Sequence, residues 1–208
     1  RMRRASRESH QRRRCLPSDG AIPTGRYGLV MAARSSSRRA ALDAALAALR
    51  DDDAISLETT ARAAGLTKPG LMYHFPTKEV LMLALVDHVV DRCETSILLR
   101  IPDPAAASPV DLATAYARWA LEDVHDASDL VAFADPRLRG ALVDRWTDRF
   151  RVFASLDGVE PALRTRLLAV RMLADGVWFA CASGALAPSD DDRRALAGLV
   201  DELLAVPR

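Results

Sequence analysis

The sequence has few aromatic and isoleucine residues and no long apolar run. Only 5% of its 208 residues are aromatic, and Ala, Leu and Arg dominate instead. No stretch alternates apolar and polar residues over the length of a strand, so the composition favours an all-α fold. No apolar segment approaches the roughly 18–20 residues that a bilayer-spanning helix requires, which argues against an integral membrane protein.

Cysteines are also few. Cys15, Cys93 and Cys181 are odd in number and far apart in the sequence, which favours reduced thiols over a disulfide framework. The Arg-rich start is not followed by an apolar stretch of about 7–15 residues, so we expect no secretory signal. These features predict a cytoplasmic protein with no membrane partner.

The overall charge is nearly balanced, with 29 basic and 28 acidic residues, but its distribution is not. Residues 1–30 carry eight Arg against Glu8 and Asp19, whereas acidic groups are in excess in residues 101–208. Residues 1–33 also offer little apolar surface to bury. We expect them to form a disordered basic arm, or an upstream extension if Met31 is the natural start.

Capping residues, prolines and glycines predict about nine helices. Ser56, Thr67 and Thr77 are suitable N-caps because their hydroxyls can accept hydrogen bonds from first-turn amides. The predicted ranges are 35–50, 57–64, 68–75, 77–100, 108–124, 128–134, 135–156, 160–183 and 189–206. They divide into a domain at 34–80, whose linking helix continues to about 100, and a helical domain at 105–206.

The segment 56–78 contains two short helices joined by a turn with Gly65. This is the helix-turn-helix arrangement, in which the second helix enters a DNA major groove. If Leu66, Leu71 and Phe75 pack inward, the outer face of the second helix keeps a charge, hydroxyls and a ring nitrogen. On spacing alone, a purely structural helix pair is the more common outcome.

The run 64–81, AGLTKPGLMYHFPTKEVL, resembles the signature of the tetracycline-repressor (TetR) family. In that family Ser/Thr-Lys begins the recognition helix, Tyr-His-Phe ends it and Ser/Thr-Lys-Glu begins the fourth helix. The likeness covers about residues 35–95. There are two departures: residues 51–55 lack the usual Gly-aromatic step, and Pro69-Gly70 replaces the more usual pair.

The resemblance implies roles for individual residues. Lys68 is expected at a phosphate or a guanine edge, and Tyr73, His74 and Lys78 at phosphates. A solvated charged face is the alternative for the two arginines of the first helix. The full set of expected DNA contacts is Arg38, Arg39, Thr67, Lys68, Pro69, Gly70, Met72, Tyr73, His74, Thr77 and Lys78.

The resemblance also implies that the rear helices enclose a small-molecule pocket and that the last two pair with a second copy. Core packing is the alternative role for the aromatic residues there. The expected pocket residues are Trp119, Trp146, Phe150, Met172 and Trp178. The expected dimer interface consists of Leu167, Val170, Ala174, Val177, Leu199 and Leu203.

We find no pattern that predicts catalysis, a metal site or a cofactor. The histidines and cysteines do not recur at metal-ligand spacing, and no Gly-x-Ser-x-Gly occurs. We therefore expect a ligand-responsive regulator, most simply a repressor. It would bind a palindromic DNA operator as a homodimer and be released by a small, largely apolar effector. The alternative is an all-α enzyme or scaffold that uses this fold without DNA.

Overall fold

The computed structural model describes residues 26–51 and 54–205, and within these ranges every regular element is helical. Eight α-helices and two 3-10 helices follow one another, which confirms the all-α prediction. The α-helices are α1 (Arg26–Arg50), α2 (Leu57–Ala63), α3 (Lys68–His74), α4 (Lys78–Leu98), α5 (Pro109–Glu122), α6 (Arg139–Ala154), α7 (Pro161–Ser183) and α8 (Asp190–Leu204). The 3-10 helices are Pro104–Ala106 and Ala127–Phe133, the second in place of the helix predicted at 128–134.

Two predicted helix starts are wrong. α1 begins at Arg26 rather than at 35, so residues 26–33 of the predicted arm are helical. Leu29 and Ala32 are good helix formers, and extending an existing helix costs less than nucleating one. α6 begins at Arg139 rather than 135, because the Asp135 carboxylate accepts hydrogen bonds from the amides of Arg137 and Leu138 and so forms a turn.

Parts of the chain lie outside this description. Residues 1–25 of the predicted arm, residues 52–53 and residues 206–208 are outside the described residues. The chain divides into two compact units, 1–36 and 37–208, and the second contains α2 to α8. Cys93 and Cys181 are free thiols, and Cys15 falls in the undescribed part.

The N-caps follow the predicted chemistry. The hydroxyl of Ser56 accepts from the amide of Thr59 at 3.0 Å, Thr67 from Gly70 at 3.2 Å, and Thr77 from Val80 at 3.2 Å. Each bond satisfies an amide of the first turn, which has no partner inside its own helix. The turn between α2 and α3 passes through Gly65 at φ +65°, a left-handed conformation that glycine adopts without a Cβ clash.

The core begins under α3 and continues along α4. Leu71 and Phe75 are fully buried, together with Ala41, Leu42, Ala45 and Leu46 on α1 and Leu81 and Leu85 on α4. Further along, α4 packs against α5 and α6, and α5 packs against α7 and α8. α4 therefore extends from the helix-turn-helix into the rear helices. None of the described helices is both long enough and apolar enough to cross a membrane.

Candidate DNA-contacting surface and ligand cavity

α3 buries one face and presents the other to solvent. Leu71 and Phe75 are completely buried, whereas Tyr73 is 60% exposed and Met72 is 41% exposed. Lys68 is also largely exposed, and its Nζ lies 3.9 Å from Oε2 of Glu58. An exposed pair at this distance contributes little to stability, so the ammonium group remains accessible to a phosphate or a base edge.

The Pro69-Gly70 departure fits the start of α3. Pro69 lies in the first turn, where an amide needs no helical acceptor. A Cβ on Gly70 would lie 3.1 Å from Oγ1 of Thr67, the same atom that caps the helix. Thr67, Pro69 and Gly70 thus form the start of α3, and Thr67 and Pro69 are exposed, as the predicted DNA contacts require.

His74 and Arg38 connect α3 to α1. Nε2 of His74 lies 3.1 Å from Oγ of Ser37, and the His74 ring is half-buried. The guanidinium of Arg38 lies 5.0 Å from the centre of the Phe75 ring, within range of a cation–π contact. Arg39, next to it, is exposed. The prediction did not include Ser37, because nothing in the sequence relates two residues 37 positions apart.

Lys78 is paired with the rear half of the protein. Its Nζ lies 2.5 Å from Oδ2 of Asp135, a residue that is almost buried. The hydrogen bond from Lys78 lowers the pKa of the Asp135 carboxyl below its ordinary value, and the amide of Arg137 adds to this effect. About half of the Lys78 side chain is exposed. The residue expected to contact a phosphate therefore already forms an ion pair within the protein. Thr77, just before it, is exposed and caps α4.

Two arginines of α6 attach to acidic residues of α4. Arg149 contacts Asp91 and Glu94, each at 2.7 Å, and Arg145 contacts Asp87 at 2.7 Å. The carboxylates of Glu94 and Asp91 raise the pKa of Arg149 above its ordinary value, so its charge is fixed. α4, which follows α3 in the chain, is therefore held to α6.

A cavity of about 540 Å³ lies among α5, α6 and α7. Trp146 and Phe150 stack in its wall with ring centres 4.6 Å apart and planes 6° apart. The remaining lining residues are Tyr116, Thr147, Arg151, Phe153, Ala154, Ser155, Leu156, Asp157, Arg164, Leu168, Arg171 and Asp175. A second cavity of about 180 Å³ shares Tyr116, Phe153 and Arg171 with the first and extends to Pro109 and Leu112.

Only some of the expected pocket residues line the cavity. Trp146 and Phe150 line the cavity, whereas Trp119 and Trp178 are buried in the core beside it, and Trp178 stacks on Trp146 at 5.5 Å. Met172 is 50% exposed and lines neither of the two cavities, which corrects the prediction for this residue.

The polar groups of the cavity form a short chain. The Tyr116 hydroxyl donates to Oδ1 of Asp175 at 2.6 Å, and burial raises the pKa of Tyr116, so the phenol stays neutral. Nε of Arg171 lies 4.0 Å from Oδ2 of Asp175. That nitrogen is buried and has no hydrogen-bond acceptor. Across residues 26–51 and 54–205, no cluster of His, Cys, Asp or Glu is suited to hold a metal ion.

The dimer interface predicted on α7 is wrong in its choice of face. Leu167, Val170, Ala174 and Val177 are buried within the protomer, so they are not available to a partner. The helix against which α7 packs most extensively is α5. The apolar residues that α7 exposes are Leu168, Met172 and Phe179. Of the residues predicted on α8, Leu199 is exposed and Leu203 packs half-buried against the core.

Comparisons with known proteins agree with this arrangement. Residues 41–85 match the family described as bacterial regulatory proteins, tetR family. The HTH-type transcriptional regulator EthR of Mycobacterium tuberculosis is 33% identical over 51 residues, which are 24% of this chain and 24% of EthR. The match therefore spans about a quarter of the length of that relative.

Solved structures share the fold over most of the chain. A TetR-family regulator from a Rhodococcus species superimposes with a TM-score of 0.62 at 18% identity, over 82% of this chain and 100% of that one. AibR, solved in complex with isovaleryl coenzyme A and operator DNA, gives 0.53 at 20% identity over 79% and 97%. The segment 41–85 is thus similar to the tetR family of bacterial regulatory proteins, and the likeness to the solved structures shows a shared fold.

Proposed function

We propose that this protein is a transcriptional repressor, without enzymatic activity, that binds a palindromic DNA operator as a homodimer. α3 is its recognition helix, and a small effector bound among α5, α6 and α7 releases the DNA. As a bacterial regulator it would act in the cytoplasm, where operator DNA lies. The observation that carries this proposal is the division of α3 into a fully buried face and an exposed face bearing Lys68, Met72 and Tyr73.

The exposed face of α3 has the chemistry of a major-groove contact. Lys68 can donate to a phosphate or a guanine edge, Met72 offers an apolar contact to a thymine methyl, and the Tyr73 hydroxyl can donate to a phosphate. Lys78, at the start of α4, lies at a helix amino end, where free amides assist anion binding. Among proteins of similar fold, AibR has been solved with operator DNA, which supports this use of the fold.

The exposed apolar residues of α7 and α8 provide a surface for a second copy. A twofold dimer would place two recognition helices about one DNA turn apart and would require an inverted repeat in the operator. Leu168, Met172 and Phe179 on α7 and Leu199 on α8 replace the buried residues first expected there. We expect these side chains to form the centre of the interface.

α4 connects the helix-turn-helix to the helices around the cavity. The effector cavity is lined by α6, which is bonded to α4 through Arg145 and Arg149. A shift of α6 on ligand binding would therefore be transmitted to α4 and change the spacing of the recognition helices. A preference of about 1–3 kcal/mol for the DNA-incompetent spacing is sufficient for useful regulation.

DNA footprinting on the regions flanking the gene tests the proposal. We expect one protected inverted repeat, with an affinity that falls steeply as salt is raised because phosphate contacts release counterions. Lys68→Ala should weaken the footprint. Arg194→Ala removes an exposed charge from α8, where it pairs with Asp191, and should leave the footprint unchanged. The absence of any protected repeat, or equal effects of the two substitutions, would contradict the proposal.

A further inference from the structure

We infer that the cavity among α5, α6 and α7 binds a small amphipathic anion, whose carboxylate pairs with Arg171 and whose apolar body lies against Trp146, Phe150 and Phe153. This inference rests on the proposed effector site and specifies the chemical class of its ligand. It follows from the position of Arg171, the hydrogen-bonding state of the lining groups and the charge of the walls.

Arg171 occupies the junction of the two cavities. It lines the larger one, with the stacked Trp146 and Phe150, and the smaller one, with Pro109 and Leu112. The two cavities share six further lining residues, namely Tyr116, Phe153, Ala154, Ser155, Leu156 and Asp157. A ligand that enters either cavity therefore meets the Arg171 side chain next to an apolar wall.

The group that lacks a hydrogen-bond partner at this junction is a donor. Nε of Arg171 is buried without an acceptor, and the nearest carboxylate oxygen, Oδ2 of Asp175, is 4.0 Å away. The other oxygen of Asp175 already accepts from the Tyr116 hydroxyl at 2.6 Å. A ligand that supplies an acceptor would satisfy this nitrogen, and a buried donor without a partner is otherwise unfavourable.

The charges of the lining favour an anion over a cation. The larger cavity has Arg151, Arg164 and Arg171 against Asp157 and Asp175. Both carboxylates already accept hydrogen bonds, Asp157 from Ser155 and Asp175 from Tyr116. The stacked aromatic rings alone would also suit a cation, but the three guanidinium groups of the lining outnumber its two carboxylates.

The guanidinium and the two cavities together define the shape of the ligand. A guanidinium offers parallel N–H donors that match the two oxygens of a carboxylate. The smaller cavity has a volume of about 180 Å³, and Pro109, Leu112 and Ala113 form an apolar part of its wall beside the polar residues Ser155, Asp157 and Arg171. The structure thus fits a monocarboxylic acid with an aliphatic or aromatic body, the carboxylate at the junction and the body in one of the two cavities.

Titration with matched probes tests the class of ligand. Octanoate, octan-1-ol and octylamine share one apolar body and differ in the head group. Their binding can be measured by calorimetry and by the fluorescence of Trp146, with Trp146→Phe to assign the signal. We expect octanoate to bind roughly tenfold or more tightly than the alcohol and the amine, since one charge-assisted pair distinguishes them. Phenylacetate in place of octanoate distinguishes an aromatic from an aliphatic body.

Substitutions locate the head group. Arg171→Gln should remove the preference for octanoate, whereas Arg171→Lys, which keeps the charge, should retain part of it. Arg166→Gln is the matched control, because Arg166 lies on the same helix as Arg171 but lines neither cavity. Circular dichroism and thermal unfolding would show that each variant is folded.

The outcomes separate this inference from the proposed function. If octan-1-ol or octylamine binds as tightly as octanoate, or Arg171→Gln leaves octanoate binding unchanged, the inference is overturned while the effector site stands. If neither octanoate nor phenylacetate binds, the inference is also overturned. If octanoate binds through Arg171 but leaves operator affinity unchanged, the ligand class stands and the proposed release of DNA fails.

Discussion

Lys78 and Asp135 form an ion pair, with 2.5 Å between Nζ and Oδ2, across 57 positions of the sequence. Lys78 begins α4, the helix that follows α3, and Asp135 precedes α6, which lines the cavity. The residue expected to bind a DNA phosphate is thus held by a carboxylate of the rear half. Phosphate and Asp135 would compete for the same ammonium group, so the pair connects DNA binding to the position of the rear helices.

Asp135→Asn should strengthen DNA binding a few-fold, because Lys78 would no longer be neutralised by an adjacent carboxylate. The asparagine keeps an oxygen that can accept from the Arg137 and Leu138 amides, so the turn should persist. Operator affinity measured by fluorescence anisotropy tests the prediction. Asp144→Asn removes the same charge from an exposed position of α6 and is the control. Equal affinities for the two variants would show that only overall charge matters.

Lys78→Ala and Lys68→Ala should differ in what they change. Loss of Lys78 removes a phosphate contact, so binding should weaken similarly for all sequences and the salt dependence should fall by about one counterion. Tyr73→Phe should likewise weaken binding to all DNA sequences by a similar factor. Lys68→Ala should also relax the preference at one position of each half-site if Lys68 reaches a base edge. Anisotropy titrations on a set of single-base operator variants at two salt concentrations would show whether the effects separate.

The local features of the helix-turn-helix could be predicted from the sequence because their causes are local. Ser56, Thr67 and Thr77 cap helices through amides three residues away, and each prediction is confirmed. The buried positions of Leu71 and Phe75 follow from helical spacing in the same way. Contacts between residues that are only a few positions apart can therefore be predicted from their order in the sequence.

Contacts between distant segments could not be predicted. The pairs Lys78–Asp135 and Ser37–His74 depend on how helices pack, and no spacing relates them. On α7 the problem was different, because both faces carry apolar residues. Periodicity identifies a stripe such as that of Val170, but it does not say whether the stripe meets the protomer core or a partner. The structure assigns it to the core and leaves the face of Met172 exposed.

Acid should destabilise the helix starts at α5 and α8. The hydroxyl of Ser108 lowers the pKa of the Asp111 carboxyl below its ordinary value, and the hydroxyl of Ser189 does the same for Asp192. A carboxyl with a lowered pKa in the folded state stabilises the fold above its unfolded pKa, and this stabilisation is lost as the pH falls through the folded value. Stability should therefore decrease as the pH falls below about 4.

Urea unfolding across this pH range, followed by circular dichroism, tests the role of these carboxylates. The double variant Asp111→Asn with Asp192→Asn should be less stable than the parent chain at neutral pH and should lose less stability in acid. A parallel pH dependence of the two proteins would show that other carboxyls are responsible.

Replacing the exposed apolar residues of α7 should convert the protein to a monomer. Met172 and Phe179 are 50% and 51% exposed, and with Leu168 they recur at i, i+4 and i+11, which places them on one face of the helix. A contiguous exposed apolar surface usually marks an interface, and a charge buried at its centre without a partner is strongly unfavourable. Met172→Glu combined with Phe179→Glu should therefore dissociate a dimer without disturbing the protomer core.

Light scattering at micromolar concentration measures the mass of each variant. Leu186→Glu is the matched control, because Leu186 is 99% exposed in the loop after α7 and does not belong to this face. The control should remain dimeric and should bind operator DNA like the parent chain. The α7 double variant should be monomeric and should bind a half-site much more weakly than the dimer binds the whole operator, since it loses the second recognition helix. A stable monomer of the parent chain, or a dimer that survives both substitutions, would place the interface elsewhere.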